Sequence, residues 1–233
     1  MRHAIAISTY VNEDNEELCK RLHVTILSLL TSGYTGKIFV IDDGSTIKRD
    51  CFRHEVTWIR KQVNTGICKA KNTSIRVLLD HEVDVGFLAD DDLYFNVGWW
   101  RKYLVAIKKT NVPHFSWFKE SKESEYDEIN GYPVRRCSGL NGCLLTFTPE
   151  VIAKVGGFLN SPTKWGFSHV DWTNRIVKVG FAPYYVDVVN SNNYVWLNEY
   201  NQKSAVSVEQ RRENRKYVRE VPKLSKPYLP VVE

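Results

Sequence analysis

Val83-Asp84-Val85-Gly86-Phe87-Leu88-Ala89-Asp90-Asp91-Asp92 is the stretch whose reading decides the fold. The run from Val83 to Leu88 suits a strand in a sheet covered on both faces, where short continuous apolar segments are found. It leads into three consecutive carboxylates, Asp90, Asp91 and Asp92, which repel one another where the strand leaves the core. A polar strand end feeding a solvated turn is one reading of such a triplet. The other is a site for a hard divalent cation, Mg²⁺ or Mn²⁺, which prefers oxygen ligands and offsets the repulsion. The flanking sequence decides between them.

Upstream, strand and helix alternate. Ala4 to Ser8 is a short apolar strand, and Glu16 to Thr31 carries Leu18, Leu22, Ile26 and Leu29 on one helical stripe. Lys37 to Ile41 is a β-branched strand that stops at Asp42-Asp43-Gly44-Ser45, and Thr57 to Arg60 is a third strand. Ile67 to Leu79 is a second helix whose inner face is Ile67, Ala70, Ser74, Ile75 and Leu78. Strands separated by helices of this length imply right-handed crossovers and a mainly parallel sheet, hence an α/β fold. Such sheets bind ligands beyond the carboxyl ends of their strands. Thr9-Tyr10, Asp42 to Ser45 and Asp90 to Asp92 are therefore expected on one rim.

The second half is less regular. Helices are expected at Trp99 to Lys109, Pro149 to Val155 and Val170 to Lys178, and strands at Phe115 to Phe118, Gly142 to Phe147 and Ala182 to Val188. Glu120 to Asn130 is polar and reads as a loop. Ser204 to Val221 reads as a charged helix. The sequence contains no internal repeat.

At 233 residues, 43% hydrophobic and 25% charged, the chain has a globular composition and fits one domain with a short appendage. The five cysteines, Cys19, Cys51, Cys68, Cys137 and Cys143, show no CxxC spacing, which disfavours a zinc ribbon or disulfide framework and suits a reducing compartment. No apolar stretch approaches the roughly 20 residues of a membrane span, so a soluble, cytoplasmic protein is expected. Much of the net charge of +5 gathers after Asn201. Lys203, Arg211, Arg212, Arg215, Lys216, Arg219, Lys223 and Lys226 there outnumber Glu209, Glu213, Glu220 and Glu233. Such a run is usually a solvated face, and the other reading is contact with an anionic partner.

There is no GxGxxG after the first strand and no GxxxxGK[ST] anywhere, which disfavours a dehydrogenase or P-loop enzyme. An acidic rim admits a phosphate only through a bridging metal, and so favours a metal-bound pyrophosphate.

Ile5 to Tyr10, Ile38 to Ser45, Asn64-Thr65-Gly66 with Ala70-Lys71-Asn72, and Phe87 to Asp92 follow in an order and spacing that resemble the nucleotide-sugar half of a GT-A glycosyltransferase of family 2 type. Gly156-Gly157-Phe158, then Trp165 to Trp172, Arg175 and Gly180-Phe181, resemble that family's acceptor-side segment. The likeness spans roughly residues 4 to 187. It implies a Rossmann-like, mainly parallel sheet with flanking helices and a smaller, mixed acceptor-side half. The implied organisation is one domain over 1–200, with a nucleotide-sugar half at 1–95, an acceptor half at 96–200 and a basic tail at 201–233.

The resemblance also implies roles. Thr9 and Tyr10 would border base and ribose, and Asp42 or Asp43 would accept hydrogen bonds from uracil or ribose. Read alone, Asp42-Asp43-Gly44 is equally an ordinary turn. Asn64 and Gly66 would let the backbone approach the nucleotide, and Lys71 would lean toward the diphosphate unless it is an exposed helix residue. Asp90-Asp91-Asp92 matches the family's DxD element, with Asp90 facing the ribose or sugar, Asp91 also on the substrate side, and Asp92 with Asp90 serving Mn²⁺ or Mg²⁺. Gly142 would line the donor sugar, and Trp165 would stack on a sugar face, whereas Trp172 reads as core.

The usual Glu-Asp pair of the acceptor segment is replaced here by Ser168-His169, and Asp171 keeps its carboxylate. The base that takes the acceptor's proton is then Asp171 or His169, and His169 is alternatively a metal ligand or a structural residue. The expected reaction is metal-dependent transfer of a sugar from a nucleoside diphosphate sugar, a UDP-sugar, to a hydroxyl acceptor. That acceptor is a glycan or, through the basic tail, nucleic acid. A silent nucleotide-sugar-binding module and a nucleotidyltransferase are the competing readings. The second lacks its Gly-rich basic loop, because Thr9 to Asn15 is acidic and glycine-free.

Overall fold

The computed structural model of the chain describes residues 1–11, 16–47, 51–119, 124–160, 168–198 and 200, together with 209, 212, 213 and 216 of the tail. In chain order the first half contains β1 (His3–Thr9), α1 (Glu16–Thr31), β2 (Lys37–Asp42), β3 (Thr57–Arg60), α2 (Ile67–Asp80), β4 (Val85–Asp90) and β5 (Leu93–Phe95). The second contains α3 (Trp99–Thr110), β6 (Glu125–Ile129), β7 (Tyr132–Arg136), β8 (Leu144–Phe147), α4 (Pro149–Val155), α5 (Ser168–Lys178), β9 (Val186–Val188) and β10 (Val195–Leu197).

The central sheet runs β3-β2-β1-β4-β8, with the first four strands parallel and β8 antiparallel to β4. The expected mainly parallel α/β sheet is thus present, closed on one edge by an antiparallel strand. β1 shows why it forms: its side chains alternate between two apolar layers, as a strand's period of two requires. Ile5 and Ile7 join Leu22, Ile26 and Leu29 of α1 and Trp99 and Tyr103 of α3. Ala4 and Ala6 join Ile75 and Leu78 of α2, Val151 and Ile152 of α4, and Trp172 and Ile176 of α5. Each fully buried Leu, Ile or Phe contributes roughly 1.5–3 kcal/mol relative to exposure.

Two smaller sheets complete the fold. β5 pairs antiparallel with β10, and β7 lies between β6 and β9. A buried ion pair ties the second half together. Arg135 Nη2 stands 2.7 Å from Asp187 Oδ2, and Asp187 also accepts from Tyr103 Oη at 3.0 Å and from the Phe118 amide at 3.1 Å. Burial pushes the Asp187 carboxyl up, and the guanidinium beside it pulls the other way.

Several expectations for this half need correction. Glu120 to Asn130 is not all loop, because Glu125–Ile129 forms β6. Its residues are exposed on both faces except Ile129, so no apolar alternation marks it. Phe115 to Phe118 is not a ladder strand. Ser116 bridges Leu145 but donates its amide to Val186, while the Trp117 amide goes to Leu144, so the segment is divided between two neighbours. Of Ala182 to Val188 only Val186–Val188 is strand, consistent with Pro183 being unable to donate to a ladder. The expected helix from Ser204 to Val221 lies mostly outside the described residues; 209, 212, 213 and 216 are helical. Among the described residues, no helix is long and apolar enough to cross a membrane.

Candidate active site

The parallel register lines up the expected rim. Thr9 pairs with Asp42 across β1 and β2, and Ser8 pairs with Asp90 across β1 and β4. The three polar strand ends therefore stand side by side at the carboxyl edge of the central strands. β4 runs Val85–Asp90 rather than the expected Val83 to Leu88, so Asp90 is its last residue, and Asp91 and Asp92 form the turn into β5.

The three aspartates do different work. Asp91 turns inward, accepting from Thr9 Oγ1 at 2.5 Å and meeting Arg21 Nη2 at 2.9 Å. The turn is held by α1 and by the end of β10. Thr25 Oγ1 lies 2.9 Å from the Asp91 carbonyl, and the Asn198 amide donates to the Asp92 carbonyl at 2.8 Å. Asp90 is more open than Asp91, its side chain 31% exposed against 8%. Lys71 Nζ lies 2.6 Å from Asp90 Oδ1, an ion pair whose angles fall outside hydrogen-bonding geometry. Burial, and then the neighbouring carboxylates of Asp90 and Asp91, push the Asp92 carboxyl up to about 7. This is the electrostatic cost the triplet implied, and it falls mainly on Asp92.

Beside them stands Cys143. Among the described residues, Asp90, Asp92 and Cys143 each place one potential ligand atom within 4.8 Å of the others. Two carboxylate oxygens and a sulfur at this spacing fit one divalent cation.

On the β2 side the carboxylates are mostly committed within the chain. Asp42 Oδ1 accepts the Ser45 amide at 2.9 Å, and Arg60 Nε stands 3.7 Å from Asp42 Oδ2. Asp43, only 2% exposed, accepts the Thr65 hydroxyl at 2.7 Å and the Gly66 amide at 2.8 Å, and pairs with Lys61 at 3.1 Å. It clasps the start of α2 to the end of β2. Asn64 Oδ1 accepts the same Gly66 amide at 3.1 Å. Tyr10 is half-buried just past β1. Lys71 is not an exposed helix residue: it is 3% exposed and points at Asp90.

The acceptor-side segment meets the same rim from the opposite half. Asn72, beside Lys71, donates to the Phe158 carbonyl at 2.9 Å and accepts the Phe158 amide at 2.8 Å, joining two stretches 86 residues apart. Trp172 is core, as expected, and donates to the Gly156 carbonyl at 2.9 Å. Asp171 meets Arg175 Nε at 2.9 Å, and that guanidinium also donates to the carbonyls of Val155 and Gly157, at 2.8 Å each.

His169 instead lies near Asp90. It hydrogen-bonds the Leu140 carbonyl, and burial holds its pKa below the ordinary value despite the nearby Asp90. Gly142 packs against its ring: φ is +74°, and a Cβ there would lie 2.4 Å from His169 Cγ. Trp165 lies outside the described residues. Sequence reasoning did not single out Arg21, Thr25 or Asn198, and treated Cys143 only as a redox marker. None of the four belongs to a local motif; the fold brings them together from α1, the end of β10 and the edge before β8.

No family model matches the chain. Over 213 residues it is 33% identical to an uncharacterized glycosyltransferase of Acanthamoeba polyphaga mimivirus, covering 84% of this chain and 81% of that one. Its fold is similar to that of GalNAc-T7 solved with UDP, GalNAc and Mn²⁺, with a TM-score of 0.69 and 15% identity over 94% of this chain and 48% of that one. It is also similar to S. aureus TarS in complex with UDP-GlcNAc, with a TM-score of 0.64 and 14% identity over 94% of this chain and 65% of that one. A third similar structure is a mannosyltransferase from Pyrobaculum calidifontis in complex with GDP-Man and Mn²⁺. Its TM-score is 0.58, with 16% identity over 80% of this chain and 54% of that one. The chain thus spans roughly half to two thirds of the length of these solved proteins. The curated relative and the sheet topology together show that this chain belongs to the glycosyltransferases and has the GT-A fold.

Proposed function

We propose that the protein transfers a sugar from a nucleoside diphosphate sugar, a UDP-sugar, to a hydroxyl acceptor, with Mn²⁺ or Mg²⁺ held by Asp90 and Asp92. The observation that carries this reading is the convergence of Asp90, Asp92, Lys71 and His169 at the carboxyl edge of β4, where α/β sheets bind ligands. Such a cation, when bound, supplies Lewis-acid stabilisation of the negative charge that builds on a departing nucleoside diphosphate.

The chain's own residues account for the rest. Lys71, fixed by burial in α2, brings a cation beside Asp90 that suits a diphosphate oxygen. Asp43 and Asn64 both accept the Gly66 amide and so fix the loop that leads into α2 beside the rim. His169 is the better general base of the two candidates. Its hydrogen bond to Leu140 occupies one ring nitrogen, and the lowered pKa keeps the other free to accept a proton near neutral pH. Asp171, locked to Arg175, would instead position the segment. Residues 1–95 form the donor half of this reading and 96–200 the acceptor half. UDP is favoured as the carrier because GalNAc-T7 and TarS, the two higher-scoring similar folds above, were solved with UDP or a UDP-sugar.

Thermal unfolding of the protein with UDP-glucose, UDP-GlcNAc, UDP-GalNAc or GDP-mannose, each with and without Mn²⁺, tests the proposal. One UDP-sugar with Mn²⁺ should raise the melting temperature, by about 2.7 kcal/mol of stability at a hundredfold excess over Kd. No shift with any donor, in the presence of Mn²⁺, contradicts it.

A further inference from the structure

We propose that Cys143 is a third protein ligand of the cation held at Asp90 and Asp92, making this a mixed carboxylate–thiolate site that favours thiophilic divalent ions over Mg²⁺. The inference rests on the metal-site reading above and concerns a residue that reading does not use.

Placement comes from the backbone. β8 runs antiparallel to β4, with Ala89 opposite Leu144, so the residue before β8 faces the residue that ends β4. The Asp90 amide donates to the Cys143 carbonyl at 2.8 Å, which fixes that register at the site. On its other side Cys143 follows Gly142, whose left-handed backbone is held against the His169 ring. The backbone that carries the thiol is therefore fixed beside Asp90. Its contact with the Asn141 carbonyl, at 3.6 Å, is a weak one that a metal bond can replace.

Chemistry then sets the preference. Hard carboxylates suit Mg²⁺ and Mn²⁺, whereas a thiolate selects softer ions such as Cd²⁺, Zn²⁺ or Co²⁺. As the metal–sulfur bond forms, the thiol proton leaves to solvent and no electron is transferred. The remaining cysteines, at 19, 51, 68 and 137, belong to no such cluster among the described residues.

The test uses the full chain, reduced and metal-free, titrated with Cd²⁺ while the ultraviolet sulfur-to-metal charge-transfer band is followed. Mn²⁺ binding is measured in parallel by electron paramagnetic resonance. Wild type should show the band, and Cys143→Ser should lose it and bind Cd²⁺ about tenfold or more weakly. Cys137→Ser, a control at a separate buried site, should keep it. Cys143→Asp should regain binding with the preference turned toward Mg²⁺. A band that survives in Cys143→Ser overturns the proposal, as does its absence in wild type when Cd²⁺ displaces Mn²⁺; either result leaves the Asp90–Asp92 site standing. Wild type that binds neither ion overturns both readings.

Discussion

His114 gives the sharpest test of how the second half is packed. It is 2% exposed, with Nδ1 2.7 Å from the Thr146 carbonyl, Nε2 2.9 Å from Thr173 Oγ1, and its ring edge-on to Trp172 at 5.2 Å. The neutral ring satisfies both partners, donating from Nδ1 and accepting at Nε2. Burial lowers its pKa from 6.5 to about 4, because the charged form has lost its water. The unfolded chain thus takes up a proton below about pH 6.5 that the folded chain refuses until about pH 4. Stability is therefore complete above that window and falls as pH drops through it, by about 3 kcal/mol in total and at most about 1.4 kcal/mol per pH unit. His114→Gln can donate and accept in the same places without titrating. Urea unfolding of both proteins between pH 7.5 and pH 4 should show the wild type losing this increment relative to the variant. A difference that stays constant with pH, or an NMR titration of His114 centred near 6.5, would refute the reasoning.

Other outcomes follow from the same contacts. Asn72→Ala orphans the amide and carbonyl of Phe158, and should cost about 2–4 kcal/mol in urea unfolding while loosening the segment before α5. An unchanged midpoint would show that the clasp is not made in solution. His169→Gln should slow UDP release by about 10²–10⁴-fold with donor binding retained, as loss of a general base does. At saturating Mn²⁺, which keeps Asp92 ionised, the wild-type rate should stay flat above about pH 6.5, because the folded pKa of His169 lies below the ordinary value. Asp171→Asn should mainly lower stability, by about 1.5–3 kcal/mol, through its lost pairing with Arg175. If the two variants exchange these behaviours in kinetics and melting, Asp171 is the base.

The donor-side elements could be read because each announces itself locally. β1 and β2 are short β-branched runs, α1 and α2 have one apolar stripe, and the polar residues fall where the runs stop. The second half hides its structure for equally local reasons. β6 is exposed on both faces, so it has no alternating pattern; its only signal is the Asn130-Gly131 turn, with φ of 52° and 71°. Such a pair of positive φ angles is what a two-residue hairpin turn demands, and Asn-Gly supplies it.

At the site, residue types were legible and their partners were not. Asp43 and Asp91 read as ligand-facing carboxylates, yet they close on Gly66 and on Arg21. Lys71 read either as leaning toward the diphosphate or as an exposed helix residue, and its burial on the inner side of α2 against Asp90 is a tertiary contact. Cys143 carried no signal at all, since only the antiparallel edge strand brings it to Asp90.

The proposed function requires that Asp90 and Asp92 hold a divalent cation on which donor binding depends. Titration of Mn²⁺ by electron paramagnetic resonance, with and without a UDP-sugar, in wild type and in Asp92→Asn, tests it most directly. Metal and donor should bind wild type together, and the folded variant should bind Mn²⁺ about 10–100-fold more weakly. Equal Mn²⁺ affinity in the two proteins, or donor binding to wild type that is unchanged by a chelator, would contradict it.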